Sequence, residues 1–150
     1  MREVRVPAAV FIIVLSLASL AGAFQYARFL TVADIEKVTG LKGVTPIPKS
    51  ADADGDLNFG GKNGQVILSV TFLDASADVG YKSSKEGFKS PLSGVGEEGF
   101  IGPAGDEPSF IVVFRKASYA VMLNTIPDGK TTRLSIKQLT ELAKIIASRM

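Results

Sequence analysis

The chain is 150 residues long, 46% hydrophobic and 21% charged, with 17 basic and 15 acidic side chains and a formal charge of +2. It contains no Cys, His or Trp. This composition excludes disulfides, thiol chemistry, zinc or haem sites built on His or Cys, and every Ser-His or Cys-His nucleophile pair. A nucleic-acid partner is not expected, because the Lys and Arg residues are scattered instead of gathered on one face.

Residues 1–23 read as a signal peptide. Arg2 and Arg5 precede an apolar run from Val6 to Leu20, which ends in the small residues Ala21-Gly22-Ala23. A retained N-terminal membrane anchor is the alternative, since the uncharged span from Val6 to Ala27 is long enough for a bilayer of roughly 30 Å. Ser16, Ser19, Gly22 and Gln25 dilute that span and favour cleavage. Either way residues 24–150 form a single domain outside the cytoplasm, because the basic residues come first. That makes the protein secreted or periplasmic, or else membrane-anchored through the N-terminal segment alone. No Cys follows the apolar run, so lipid attachment at a lipobox is excluded.

A first helix is expected after Thr31, which can cap its N-terminus, with Asp34 at the positive end of the dipole and Leu30 stapled to Ile35. Gly40 stops it in a left-handed conformation, and Leu41 folds back. Residues 43–49 are extended, but Pro46 and Pro48 allow only an edge strand or a loop. A short strand over 56–60 and a long one over 65–73 are joined through Asn63-Gly64 as an antiparallel hairpin. In the second strand Val66, Leu68, Val70 and Phe72 face one way and Ser69 and Thr71 the other. A second helix covers 75–88 with Lys82, Lys85 and Lys89 on its solvated face, followed by a loop over 90–94.

Strands over 96–101, 109–115 and 119–125 come next. The middle one is apolar at alternate and intervening positions, from Phe110 to Phe114, so it is expected to be buried on both faces. The Arg115–Ser118 link makes it a hairpin with the last strand. A third helix over 135–150 opens with a Ser135/Gln138 capping box and buries Ile136, Leu139, Leu142, Ala143, Ile146 and Met150. The expected fold is α+β, in the order α-β-β-α-β-β-β-α. An antiparallel sheet of about five strands has its helices packed on one face.

Asp52, Asp54, Asp56 and Asn58 place oxygen ligands at every second position, as at the start of a calcium loop. The pattern then fails, because Leu57 stands where an EF-hand needs Gly and Asn63 where it needs Glu. An acidic turn leading into a strand, with Leu57 and Phe59 pointing inward, is the better reading, and no cofactor is expected. The closely spaced glycines of 94–99 precede a strand and carry Glu97 and Glu98, which would repel phosphate. A tight loop fits them better than a dinucleotide site. Glu97, Glu98, Asp106 and Glu107 are the carboxylates from which a hydrolase pair would have to come.

Three stretches resemble a known group. Residues 30–40 (LTVADIEKVTG) are similar to the opening helix of small, uncharacterised extracytoplasmic α+β domains of bacterial secreted proteins and lipoproteins. Residues 94–100 (GVGEEGF) resemble their GVGDEA(F/Y) strand-opening word, and VFRK at 113–116 before a second strand is similar as well. The pattern also resembles sensor-type domains of receptor serine/threonine kinases. The resemblance implies a sandwich-like α+β domain without known catalysis, and it transfers no functional residue. Many such domains carry a Cys pair, which this chain lacks.

The sequence therefore leads to a non-enzymatic exported domain that binds a small ligand or protein partner at the cell envelope. The competing class is a metal-assisted or carboxylate-dependent hydrolase acting outside the cytoplasm. Mass spectrometry of the exported protein is expected to find a mature N-terminus near Phe24; a chain that retains Met1 would instead identify the segment as an anchor.

Overall fold

A computed structural model of the protein describes residues 26–47, 55–74, 79–87, 90–104, 109–127 and 134–150. The expected leader lies outside them, and among the described residues no helix is long and apolar enough to cross a membrane. The chain is α+β. Three helices, α1 (Val32–Thr39), α2 (Val79–Gly87) and α3 (Ile136–Arg149), accompany β1 (Thr45–Ile47), β2 (Asp56–Gly60), β3 (Val66–Asp74), β4 (Ser90–Pro91), β5 (Glu98–Pro103), β6 (Phe110–Lys116) and β7 (Tyr119–Thr125). The strands form one antiparallel sheet in the order β1-β2-β3-β7-β6-β5-β4.

The sheet thus has seven strands where five were expected. Both additional strands, β1 and β4, are short outer strands that contain a proline. Proline removes a ladder donor, so it hides a strand from pattern reading while suiting an edge. The β2–β3 and β6–β7 hairpins form as their turn residues require. Gly64 supplies a positive φ of 75° in the first. In the second, the non-glycine Ala117 takes a φ of 51°.

One face of the sheet carries the main core. Phe59, Leu68, Val70 and Phe72 of β2 and β3 join Val112, Phe114, Val121 and Leu123 of β6 and β7 beneath Ile35 of α1 and the apolar stripe of α3. That stripe is Leu139, Leu142, Ala143, Ile146 and Ala147, all buried. Ile136 departs from the expected stripe and is 44% exposed. It is the first residue of α3, where a side chain leans back past the helix start and not onto the sheet.

A register shift between β2 and β3 leaves Ile67 unpaired between Val66, opposite Gly60, and Leu68, opposite Phe59. Ile67 and Leu68 consequently both enter the core, while Val66 is only half-buried. The strict alternation expected from Val66 onward is broken by this bulge.

The helices occupy both faces, which corrects the expected one-sided packing. On β6 and β7, Val113 and Ala120 alternate with core residues and so point to the opposite side, where they are buried with Tyr81 of α2. The physical reason lies in β6, whose Val112, Val113 and Phe114 are all buried and demand cover on two sides.

α1 and α3 are tied at both ends. Each opens with a complete capping box, Thr31 with Asp34 and Ser135 with Gln138. Gln138 Nε2 also donates to the Thr39 carbonyl at 3.2 Å, and Arg149 donates to both Asp34 carboxylate oxygens at 2.6 and 2.7 Å. The Arg149 guanidinium, with help from Thr31, holds the Asp34 carboxyl well below the usual carboxylate range. A folded-state value below the ordinary 3.8 means that this contribution to stability is complete above about pH 5 and fades as pH falls. Arg149→Met is therefore expected to cost about 1 kcal/mol at pH 7, given its partial exposure. In urea unfolding the deficit should shrink between pH 7 and pH 2.5; a deficit of equal size at both would refute the pairing.

Candidate functional site

The second face divides into two halves. Asn58 of β2, Ser69 of β3 and Asn124 of β7 are directly paired neighbours and continue to Ile111 of β6. In the next row Asp56 pairs with Thr71, Thr71 with Met122, Met122 with Val113 and Val113 with Phe100. Directly opposed residues share a face, with Cβ atoms about 5 Å apart. Asp56, Asn58, Ser69, Thr71 and Asn124 therefore form a contiguous polar patch, each residue half-buried. Across β6 and β5 the same rows become apolar, and there α2 lies over them.

α2 is fixed on that apolar half through few groups. Tyr81 is 4% exposed and packs with Val113 and Ala120, flanked by Leu73, Phe100, Ile111 and Met122. Burying a side chain of that kind contributes about 1.5–3 kcal/mol. Its hydroxyl donates to Glu98 Oε2 at 2.8 Å, and Lys85 Nζ donates to Glu98 Oε1 at 2.6 Å. Lys85 also stands 5.8 Å from the centre of the Phe100 ring, so the β5 residues Glu98 and Phe100 receive both α2 side chains. These partners lower the Glu98 pKa, through Lys85 first and Tyr81 second.

Glu97, although adjacent, does different work. Its Oε1 accepts the Ala117 N–H at 3.0 Å, and its Oε2 lies 3.8 Å from Arg115 Nε. Its own N–H donates to the Arg115 carbonyl at 2.8 Å. Glu97 thereby braces the β6–β7 turn where Ala117 holds its positive φ, a conformation that costs a non-glycine residue energy.

The hydrolase pair finds no support in this arrangement. Both carboxylates would have to face one cleft, and one would need a raised pKa to serve as general acid. Glu97 and Glu98 instead bind separate partners, and Glu98 is shifted downward. Asp106 and Glu107 lie outside the described residues.

The glycine-rich segment is structural as well. Gly96 has a φ of 62°, and a Cβ there would drive into the Arg115 carbonyl and come within 2.9 Å of the Phe114 ring. Val95 between the glycines is buried in the main core. The segment is the tight loop that the sequence suggested, pressed onto β6.

The calcium candidates are separated by the fold. Asp56 and Asn58 lie on β2, paired to β3, and point to the polar patch, while Leu57 and Phe59 point to the core as expected. Asp52 and Asp54 lie outside the described residues. Alternate residues of a strand are about 6.6 Å apart and parallel, so they cannot wrap one ion as a loop does. Among the described residues no three acidic groups converge.

Sequence reading had Ser69, Thr71 and Asn124 on the outward positions of their strands but could not join them. Their proximity depends on β3 lying beside β7, which alternation within a strand does not reveal. No family model, curated protein or solved structure matches the chain.

A thermal melt tests the metal question. Millimolar calcium is expected to leave the melting temperature of the domain unchanged. A rise would restore the acidic turn as a site, because an ion bound to the native state must stabilise it.

Proposed function

We propose that the protein is an exported, non-enzymatic domain that binds a small ligand or protein partner at the cell envelope through the polar half of its second sheet face. The observation that carries this reading is the patch of Asp56, Asn58, Ser69, Thr71 and Asn124, contiguous across three strands and half-buried. These side chains supply amide, hydroxyl and carboxylate groups at a regular spacing, on a rigid support. Such an array fits a partner with complementary donors and acceptors, and the adjacent Ile47, Ile111 and Met122 offer apolar contact.

Support for a binding role over catalysis comes from composition and from what the acidic residues do. The chain has no His or Cys, and Glu97 and Glu98 are engaged in holding a turn and a helix. Support for export is the order of Arg2, Arg5, the apolar run and Ala21-Gly22-Ala23. The resemblance to extracytoplasmic domains points the same way.

The reading is tested by amide chemical-shift mapping of the domain against soluble envelope components, such as glycan fragments, phospholipid head groups and short peptides. Shifts confined to Asn58, Ser69, Thr71 and Asn124 are expected. Ser69→Arg should weaken that binding at least tenfold, equivalent to about 1.4 kcal/mol, with little change in melting temperature. Shifts elsewhere on the molecule, or turnover of glycosides or esters by the purified domain, would overturn it.

A further inference from the structure

We infer that α2 is a lid that lifts from the sheet as a unit, exposing an apolar platform continuous with the polar patch while the rest of the fold stays closed. Three independent features lead there. The first is local. The α2 sequence, VGYKSSKEG, contains two glycines, two serines and a β-branched valine in nine residues. Helices of this length and composition do not persist in water unless packing holds them.

The second is how little packing there is. The second-face cluster has three buried members, of which Tyr81 comes from α2 and Val113 and Ala120 from the sheet. Twenty buried residues form the main core under α1 and α3, and those two helices are additionally pinned to each other at both ends. Opening free energies follow buried apolar contact, so α2 belongs to a less stable unit than the sheet it covers.

The third is how the polar anchors converge. Tyr81 and Lys85, one turn apart on α2, both bond the carboxylate of Glu98, one on each oxygen. A single strand residue therefore receives both anchors, and losing it releases both at once. Beneath the helix lie Val113, Ala120, Phe100, Ile111, Met122 and Leu73. The row Asp56–Thr71–Met122–Val113–Phe100 runs from the polar patch straight into this apolar area. With α2 raised, the face presents a polar end beside an apolar end, the surface an amphipathic ligand requires.

The lid is a property of the fold and is tested without any ligand, so its failure is distinct from failure of the binding reading. Hydrogen exchange of the full chain, followed by mass spectrometry, compares peptides covering 79–87 with peptides from β3 and β7. In the wild type, α2 amides are expected to exchange through an opening that is insensitive to low urea, whereas β3 and β7 amides require global unfolding. Glu98→Gln should accelerate α2 exchange about tenfold and leave β3 and β7 unchanged. Tyr81→Phe, which keeps the ring and removes one anchor, should give a smaller change in the same direction. If α2, β3 and β7 exchange together, or if both variants leave α2 exchange at the wild-type rate, the lid is refuted.

Discussion

Seven residues of β3, from Leu68 to Asp74, pair in antiparallel register with Thr125 to Tyr119 of β7. No hairpin links these strands; α2, β4, β5 and β6 lie between them in the chain. Each half of the protein is a meander that covers only part of a core, β1-β2-β3 on one side and β4 to β7 on the other. Docking β3 on β7 aligns Val70 with Leu123 and Phe72 with Val121, which makes one continuous apolar surface wide enough for α3. The closure entropy of this long-range pairing has to be met before those contacts form.

The same junction creates the second face. It sets Ser69 beside Asn124 and Thr71 beside Met122, and so extends the β2–β3 polar rows to the apolar positions of β6. One side of the sheet is covered by two helices that cap themselves and each other. Asp34 and Gln138 both serve this double role, closing their own helix start and binding the opposite helix. The other side is covered in part by one short helix that depends on Tyr81 and Glu98. This unequal distribution of burial suits a stable scaffold with an adaptable surface, because the deformable element lies over the face that is not needed to hold the sheet together.

Legibility followed the range of the interactions involved. The capping boxes at Thr31 and Ser135, the stop at Gly40 and the hairpin turn at Gly64 rest on contacts within a few residues, and the structure contains each of them. The double-sided burial of β6 was visible in its unbroken apolar run. Other features were not visible. β1 and β4 are pairings that only an existing neighbour strand can stabilise, and their prolines argue against strands in isolation. The bulge at Ile67 depends on how Gly60 fits β3, with Ile47 occupying the space a side chain at Gly60 would need. Glu97 and Glu98 read as solvated loop acids, yet one braces Ala117, twenty residues away, and the other holds α2.

By itself the sequence determined the α+β class, the three helices, the main strands and most of the residues that line the core, since alternation, helical period and capping are local properties of the chain. It also excluded thiol and histidine chemistry by composition alone. Tertiary structure decided which strands are neighbours, that the helices lie on both sides of the sheet, and that Asp56, Asn58, Ser69, Thr71 and Asn124 meet on one surface. Those outcomes depend on pairing residues tens of positions apart, and the free energy that selects among such pairings comes from burying whole faces together and not from any segment read alone.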